Sequence, residues 1–209
     1  MIFVVSGPSG CGKSTLIGRV REGIKSLGFS VSHTTRKRRP SEKNGVDYHF
    51  VSRKVFERKI RKGEFAEWAR VHGHLYGTSW AELRKKSRRG RLVLDIDVQG
   101  ARQIKDRIPD VVMIFVVPPG YNELRKRLER RKEDSPAAVE RRLRDAAGEI
   151  LIYPEFDFVV INDGLERAVE ELESIVIASG CRTSERKRRV GAILKSFAEA
   201  KELQGRRKP

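Results

Sequence analysis

The run Gly7-Pro8-Ser9-Gly10-Cys11-Gly12-Lys13-Ser14-Thr15 has the spacing G-x-x-x-x-G-K-[ST], which suits a loop that wraps the phosphates of a nucleotide. Its glycines let backbone N–H groups converge on an anion, and a helix beginning at the loop's end adds the positive end of its dipole. Lys13 can reach the β and γ oxygens, and the Ser14 hydroxyl can ligate Mg²⁺. A second group of chemistry-bearing residues is Ser32-His33-Thr34-Thr35-Arg36-Lys37-Arg38-Arg39-Pro40. Its four consecutive cations read as a solvated loop, as a nucleic-acid or targeting patch, or as guanidinium clamps (Arg36 and Arg39) on the phosphate of a second nucleotide. A third is Asp95 and Asp97, two carboxylates in and just beyond an apolar run, where burial demands partners for them.

The elements that would position these residues can be traced by pattern. Ile2-Phe3-Val4-Val5 reads as a buried strand ahead of the loop, and Leu16, Ile17 and Val20 recur at helical spacing up to Gly28. Three more apolar runs, Leu92–Ile96, Val111–Val117 and Phe156–Ile161, are each followed by a helical pattern at about Val98–Arg107, Asn122–Arg131 and Leu165–Ala178. Valine- and isoleucine-rich strands alternating with helices argue for an α/β fold with a parallel sheet covered on both faces. Ligands of such sheets bind at the carboxyl ends of the strands, the edge on which Gly7, Asp95, Asp97, Pro118 and Asn162 fall.

Two segments interrupt the alternation. From about Ser32 to Lys85 come the strand-like pieces Tyr48–Val51, Phe65–Ala69 and His74–Tyr76 with a helix near Val55–Ile60, a pattern read as a small antiparallel insert. From Arg125 to Tyr153 runs a basic helical stretch broken at Lys132–Pro136, where Ser135 can cap a second helix with Pro136 at its first position. This stretch reads as a mobile lid. The expected division is a core of residues 1–31, 86–124 and 154–209, an insert of 32–85 and a lid of 125–153. A tail helix from Thr183 carries Val190, Ile193, Leu194 and Phe197 on one face.

With 209 residues, 38% of them hydrophobic, the chain can bury one sheet-based core. Its formal net charge of +17 points to polyanionic partners, among which nucleotides, nucleic acid and anionic membranes all qualify. The two cysteines, Cys11 and Cys181, make a disulfide framework improbable and suit a reducing compartment. No run approaches the length of a membrane span or a signal peptide, so the chain is expected in the cytoplasm. His33, His49, His72 and His74 show no metal-ligand spacing and read as surface or packing residues.

Taken in order, the motifs S-x-T-T-R-x-x-R from Ser32, N-G-x-D-Y ending at Tyr48, E-W-A from Glu67, Y-G-T ending at Thr78, D-I-D-x-Q-G from Asp95, R-L-x-x-R ending at Arg131, and I-N-D ending at Asp163 make the chain resemble guanylate kinase. The likeness runs from Ile2 through the tail. It implies the P-loop NTPase fold, with a GMP-binding insert and a helical lid, and phosphorylation of GMP (and dGMP) by ATP with Mg²⁺. It further implies that Ser32 and Thr78 face guanine O6. Glu67 and Asp97 would accept from N1–H and N2–H₂, and Arg36, Arg39, Tyr48 and Tyr76 would hold the GMP phosphate. Lys13, Arg36, Arg131 and Arg142 would be catalytic, and Ser14 and Asp95 would lie at the metal. The loop residues Gly7 through Thr15 would bind ATP, with Asn162 and Asp163 near the adenine.

ATP and GMP would be the partners, with no specific nucleic acid and no membrane. A catalytically silent interaction domain of this kind would lack the loop lysine or the lid arginines, both present here. A same-fold kinase for another phosphate ester would not need the Ser32, Glu67, Thr78 and Asp97 set. His33 departs from the pattern, standing where a small hydroxyl residue is expected beside the guanine pocket.

Overall fold

The computed structural model describes residues 1–87, 90–130 and 135–205, and divides into two compact units, Met1–Glu173 and Ser174–Pro209. In chain order the elements are β1 (Ile2–Ser6), α1 (Lys13–Gly23), β2 (Leu27–Phe29), β3 (His33–Thr34), β4 (His49–Phe50), α2 (Arg53–Arg61), β5 (Phe65–Val71) and β6 (His74–Ser79). Then follow α3 (Trp80–Ser87), β7 (Arg91–Asp95), α4 (Val98–Arg107), β8 (Val112–Val117), α5 (Tyr121–Arg130), α6 (Pro136–Ile150), β9 (Phe158–Ile161), α7 (Leu165–Ser179) and α8 (Thr183–Gly205).

Five strands form one parallel sheet in the order β2-β7-β1-β8-β9. The central three are the apolar runs, with Phe3, Val4, Leu92, Leu94, Val112, Ile114 and Phe115 all fully buried. Because every strand here points the same way, the segments that follow β1, β7, β8 and β9 emerge on one edge. Gly7, Asp97, Pro118 and Asn162 follow the strand ends there, with Asp95 the last residue of β7. The helical reading up to Gly28 is too long. Helix α1 stops at Gly23, and Leu27–Phe29 pairs with β7 as the outermost strand.

The second sheet has the order β4-β3-β6-β5. Its β5–β6 hairpin and β3–β6 pair are antiparallel, but β3 and β4 run parallel, so the sheet is mixed rather than wholly antiparallel. Phe56 of α2, with no exposed surface, stacks on Phe65 at 4.4 Å between centroids and closes this small core with Leu75. Burying one such ring is worth about 2–3 kcal/mol, a large share of what fastens so polar a helix. Ala66 of β5 and Leu83 of α3 belong instead to the core beneath the parallel sheet, alongside Leu94, Ala101 and Ile104. That shared packing ties the second sheet to the first.

Helices α5 and α6 pack through Leu124, Leu128, Val139, Leu143 and Ala146. Ser135 caps α6 by accepting from the Ala138 N–H, with Pro136 in the first turn. Arg125 lies inside α5, not at an element boundary. Among the described residues, no helix is long and apolar enough to cross a membrane.

Candidate active site

The loop between β1 and α1 is built to receive an anion. Helix α1 starts at a cap, Gly12, that offers no side-chain acceptor, and its first turn holds no acidic residue. Its leading N–H groups are therefore left for a ligand. Gly12 has φ of 99°, and a Cβ there would lie 2.4 Å from Asn162 Nδ2, so both conformation and contact require glycine. The loop is braced from behind. Asn162 Nδ2 donates to the Cys11 carbonyl at 2.7 Å, and Arg127 donates to the same carbonyl at 3.2 Å and to the Asn162 carbonyl at 2.9 Å.

Asn162 is buried and does not line the cavity in front of the loop. Its amide donates to the loop backbone. Arg127, held in turn by Glu123, opens the R-L-x-x-R motif, which gives no sign of this bracing role.

Lys13 folds across the loop, its Nζ donating to the Gly7 carbonyl at 2.6 Å and to that of Pro8 at 3.2 Å. Burial pulls its pKa down, but Cys11, Asp95, Glu149 and Asp97 outweigh this and hold it above the ordinary value. Burial also raises the Cys11 thiol, against the lowering effect of Lys13 beside it. At the end of the loop the Ser14 hydroxyl donates to Asp95 Oδ2 at 2.7 Å.

A cavity of about 200 Å³ opens before the loop. Gly7, Ser9, Lys13, Asp95 and Asp97 form one wall, and Ser32, Arg36, Arg39, Tyr48, Glu67 and Tyr76 another. Arg142 and Glu149 reach it from α6, and Val71 and His72 from the β5–β6 hairpin. Expected residues from three separate segments thus line one cavity, while Ser14 and Thr78 are not on its lining. Arg131 lies outside the described residues. Glu149 was not foreseen; burial lifts its carboxyl to about 7. Nor was His72, whose Nδ1 stands 3.6 Å from Asp145 of α6.

At the inner end, Glu67 is 2% exposed and its Oε1 has no hydrogen-bond partner among the described residues. Burial raises its carboxyl to about 7, against the lowering effect of its bonds to Thr78 and with Asp97 adding to the rise. Asp97, also raised by burial, caps α4 by accepting from the Gly100 N–H at 3.1 Å. The buried hydroxyls of Ser32 and Thr78 share a 2.9 Å hydrogen bond.

At the outer end, Arg36 is gripped by Glu42 at 2.5 and 3.1 Å and lies over the Tyr48 ring at 5.5 Å. Tyr48 and Tyr76 meet edge to face at 5.9 Å. Burial raises the Tyr48 phenol, so it stays a hydrogen-bond donor. Glu42 also accepts from the Arg39 N–H at 2.8 Å, which makes it the organiser of the basic run.

A phosphate loop, a ring of cations and a buried acceptor pair in one cavity describe a two-nucleotide site. The family model "Guanylate kinase" matches residues 1–179. The chain belongs to the guanylate kinase family. A guanylate kinase of Syntrophotalea carbinolica is 45% identical over 194 residues, covering 92% of each chain. One of Geobacter metallireducens is 48% identical over 184 residues, covering 88% of this chain and 91% of that protein. The crystal structure of guanylate kinase from Anaplasma phagocytophilum superposes with a TM-score of 0.73 at 34% identity, covering 88% of this chain and 87% of that one.

Within this guanylate kinase fold the departure at His33 has a simple outcome. Its ring turns away from the cavity, packing on His49 at 4.7 Å and edge-on to Phe65 at 5.5 Å. Burial, and then His49, lower its pKa to about 4, so His33 stays neutral and serves packing.

Proposed function

We infer that this chain transfers the γ-phosphoryl group of ATP to the phosphate of GMP, yielding ADP and GDP. The observation that carries this reading is the pairing, in one cavity, of the phosphate loop with a buried carboxylate, Glu67, whose Oε1 has no donor among the described residues. Guanine offers N1–H and N2–H₂ to Glu67 and Asp97, whereas adenine presents an acceptor at N1 and nothing at C2. Ser32 and Thr78 would donate toward O6 once their bonds to each other and to Glu67 give way. Arg36 and Arg39 would pair with the GMP phosphate, with Tyr48 and Tyr76 donating to its remaining oxygens.

A GMP phosphate oxygen attacks the γ phosphorus as the bond to the β–γ bridging oxygen breaks, and the electron pair leaves with ADP. Such a transfer asks for positioning and charge neutralisation, and no general base is assigned. Lys13 would swing from the Gly7 and Pro8 carbonyls to the transferring group, joined by Arg142 and by Arg131. The oxygens of Ser14 and Asp95, 2.7 Å apart, fit Mg²⁺. No three His, Cys, Asp or Glu side chains cluster among the described residues, so such an ion would draw its other ligands from phosphate and water. Bound there, Mg²⁺ would neutralise charge on the β and γ phosphates.

Residues 32–85 and 125–153 would close over the two nucleotides and exclude water, which guards ATP against hydrolysis. Free thiols at Cys11 and Cys181 suit a reducing cytoplasm. The test is a coupled assay of ADP release with ATP and each common nucleoside monophosphate. GMP (with dGMP) should be turned over and AMP, CMP and UMP hardly at all; equal use of GMP and AMP overturns the reading.

A further inference from the structure

A strand at the end of a sheet leaves one row of N–H and C=O groups without a sheet partner, and β5 is such a strand. Helix α4 takes the missing partner's place. The Gln103 amide lies against β5 as a neighbouring strand would, its Oε1 accepting from the Trp68 N–H at 3.2 Å and its Nε2 donating to the Trp68 carbonyl at 2.8 Å. Four residues on, Arg107 donates to the carbonyls of Phe65, at 3.1 Å, and Ala66. Glu67 sits between these two grips, where β5 slips register against β6 between Phe65 and Glu67. An irregularity of this kind re-aims a side chain.

The same helix starts at Asp97, its cap. At Gly100, one turn in, a Cβ would lie 2.5 Å from Glu67 Oε2 and 3.1 Å from Asp97 Oδ1. Glycine alone therefore lets the two carboxylates flank the helix's first turn. One ten-residue helix carries one acid at its tip and holds the backbone on both sides of the other.

We propose that Gln103, seconded by Arg107, is a positioning residue that fixes Glu67 relative to Asp97, so that helix α4 sets the spacing of the two acceptors and hence the choice of purine base. This rests on the guanine reading above. GMP engages both acceptors at once, and a misplacement of about 1 Å in such a site costs on the order of a hundredfold. IMP keeps N1–H and O6 but lacks the 2-amino group, so it draws little from the spacing. Loosening the grip should lower kcat/KM for GMP and leave the low value for IMP nearly as it was. A merely structural role would lower both together.

The test uses the full-length chain with two substitutions. Gln103→Met removes both bonds to Trp68, and a longer one to the Gln99 carbonyl within the helix, at similar length, and Gln103→Glu keeps the acceptor for the Trp68 N–H but sets an oxygen against the Trp68 carbonyl. The readouts are kcat/KM for GMP and IMP, KM for ATP, and melting temperature. The GMP-to-IMP preference should fall about tenfold for Gln103→Met and in the same direction for Gln103→Glu, with KM for ATP unchanged. Wild-type preference in both variants, or an equal loss for GMP, IMP and ATP, overturns the proposal. A wild type that does not itself prefer GMP to IMP and AMP strikes the guanine reading instead.

Discussion

Replacing Glu67 by glutamine should push stability and catalysis in opposite directions. The side chain is 2% exposed, and burial holds its carboxyl near 7 rather than at 4.5. Because the folded value lies above the unfolded one, the neutral form is the favoured one. The stability it confers is complete below about pH 4.5 and is lost as the pH rises through 7. At roughly 1.4 kcal/mol per pH unit, an interval of that size makes the ionised group cost about 3 kcal/mol. Glutamine has the same shape and never ionises. Nucleotide-free Glu67→Gln should therefore be more stable than wild type by about 3 kcal/mol at pH 8, with the gap closing toward pH 4.5. Toward GMP the sign reverses, since an amide replaces a charged acceptor. The expected loss in kcat/KM is about 1.5–3 kcal/mol, roughly ten- to a hundredfold. Urea denaturation at the two pH values and a coupled assay give both numbers. A variant less stable than wild type at pH 8, or one with unaltered kcat/KM for GMP, would refute the account of Glu67.

Lys13→Ala should leave the melting temperature within a few degrees and lower kcat about 10³-fold, because it removes charge aimed at the transferring group; folded protein with near-normal turnover would contradict the loop assignment. Asn162→Ala should raise KM for ATP about tenfold with KM for GMP little changed, since it frees the loop at Cys11 and Gly12; titration with a fluorescent ATP analogue checks it. Deleting residues 183–209 should spare GMP turnover, as Ile193, Leu194 and Phe197 stand 48%, 65% and 71% exposed and the family match ends at 179; loss of turnover without loss of thermal stability would count against this.

Long, strongly patterned elements were legible in the sequence. Helix α4 falls where its apolar spacing puts it, and the central strands differ from the apolar runs only at their ends. Of the short pieces β4 alone was legible, inside Tyr48–Val51, because two or three residues carry no period. β2 was absorbed into the preceding helix, and the two-residue strand β3 depends on its neighbours β4 and β6 rather than on its own side chains. The placement of site residues was legible wherever a motif fixes spacing, as with Lys13, Asp95 and Asp97 on the cavity and Ser14 bonded to Asp95.

Supporting side chains escaped notice because their partners are backbone groups distant in sequence. Gln103 pairs with Trp68 and Arg127 with Cys11. Nothing in an isolated glutamine or arginine announces such a bond. Glu42 was hidden for a different reason, since an acid among five cations reads as solvated until the Arg36 guanidinium and the Arg39 backbone N–H are seen to bind it.

Phosphorus NMR of the chain mixed with ATP, Mg²⁺ and GMP tests the central claim most directly, because it follows the transferred group itself. The account predicts that GDP and ADP resonances grow in equal measure while inorganic phosphate stays flat, and that substituting AMP for GMP leaves the spectrum almost still. Inorganic phosphate appearing in place of GDP, or AMP consumed as fast as GMP, would contradict it.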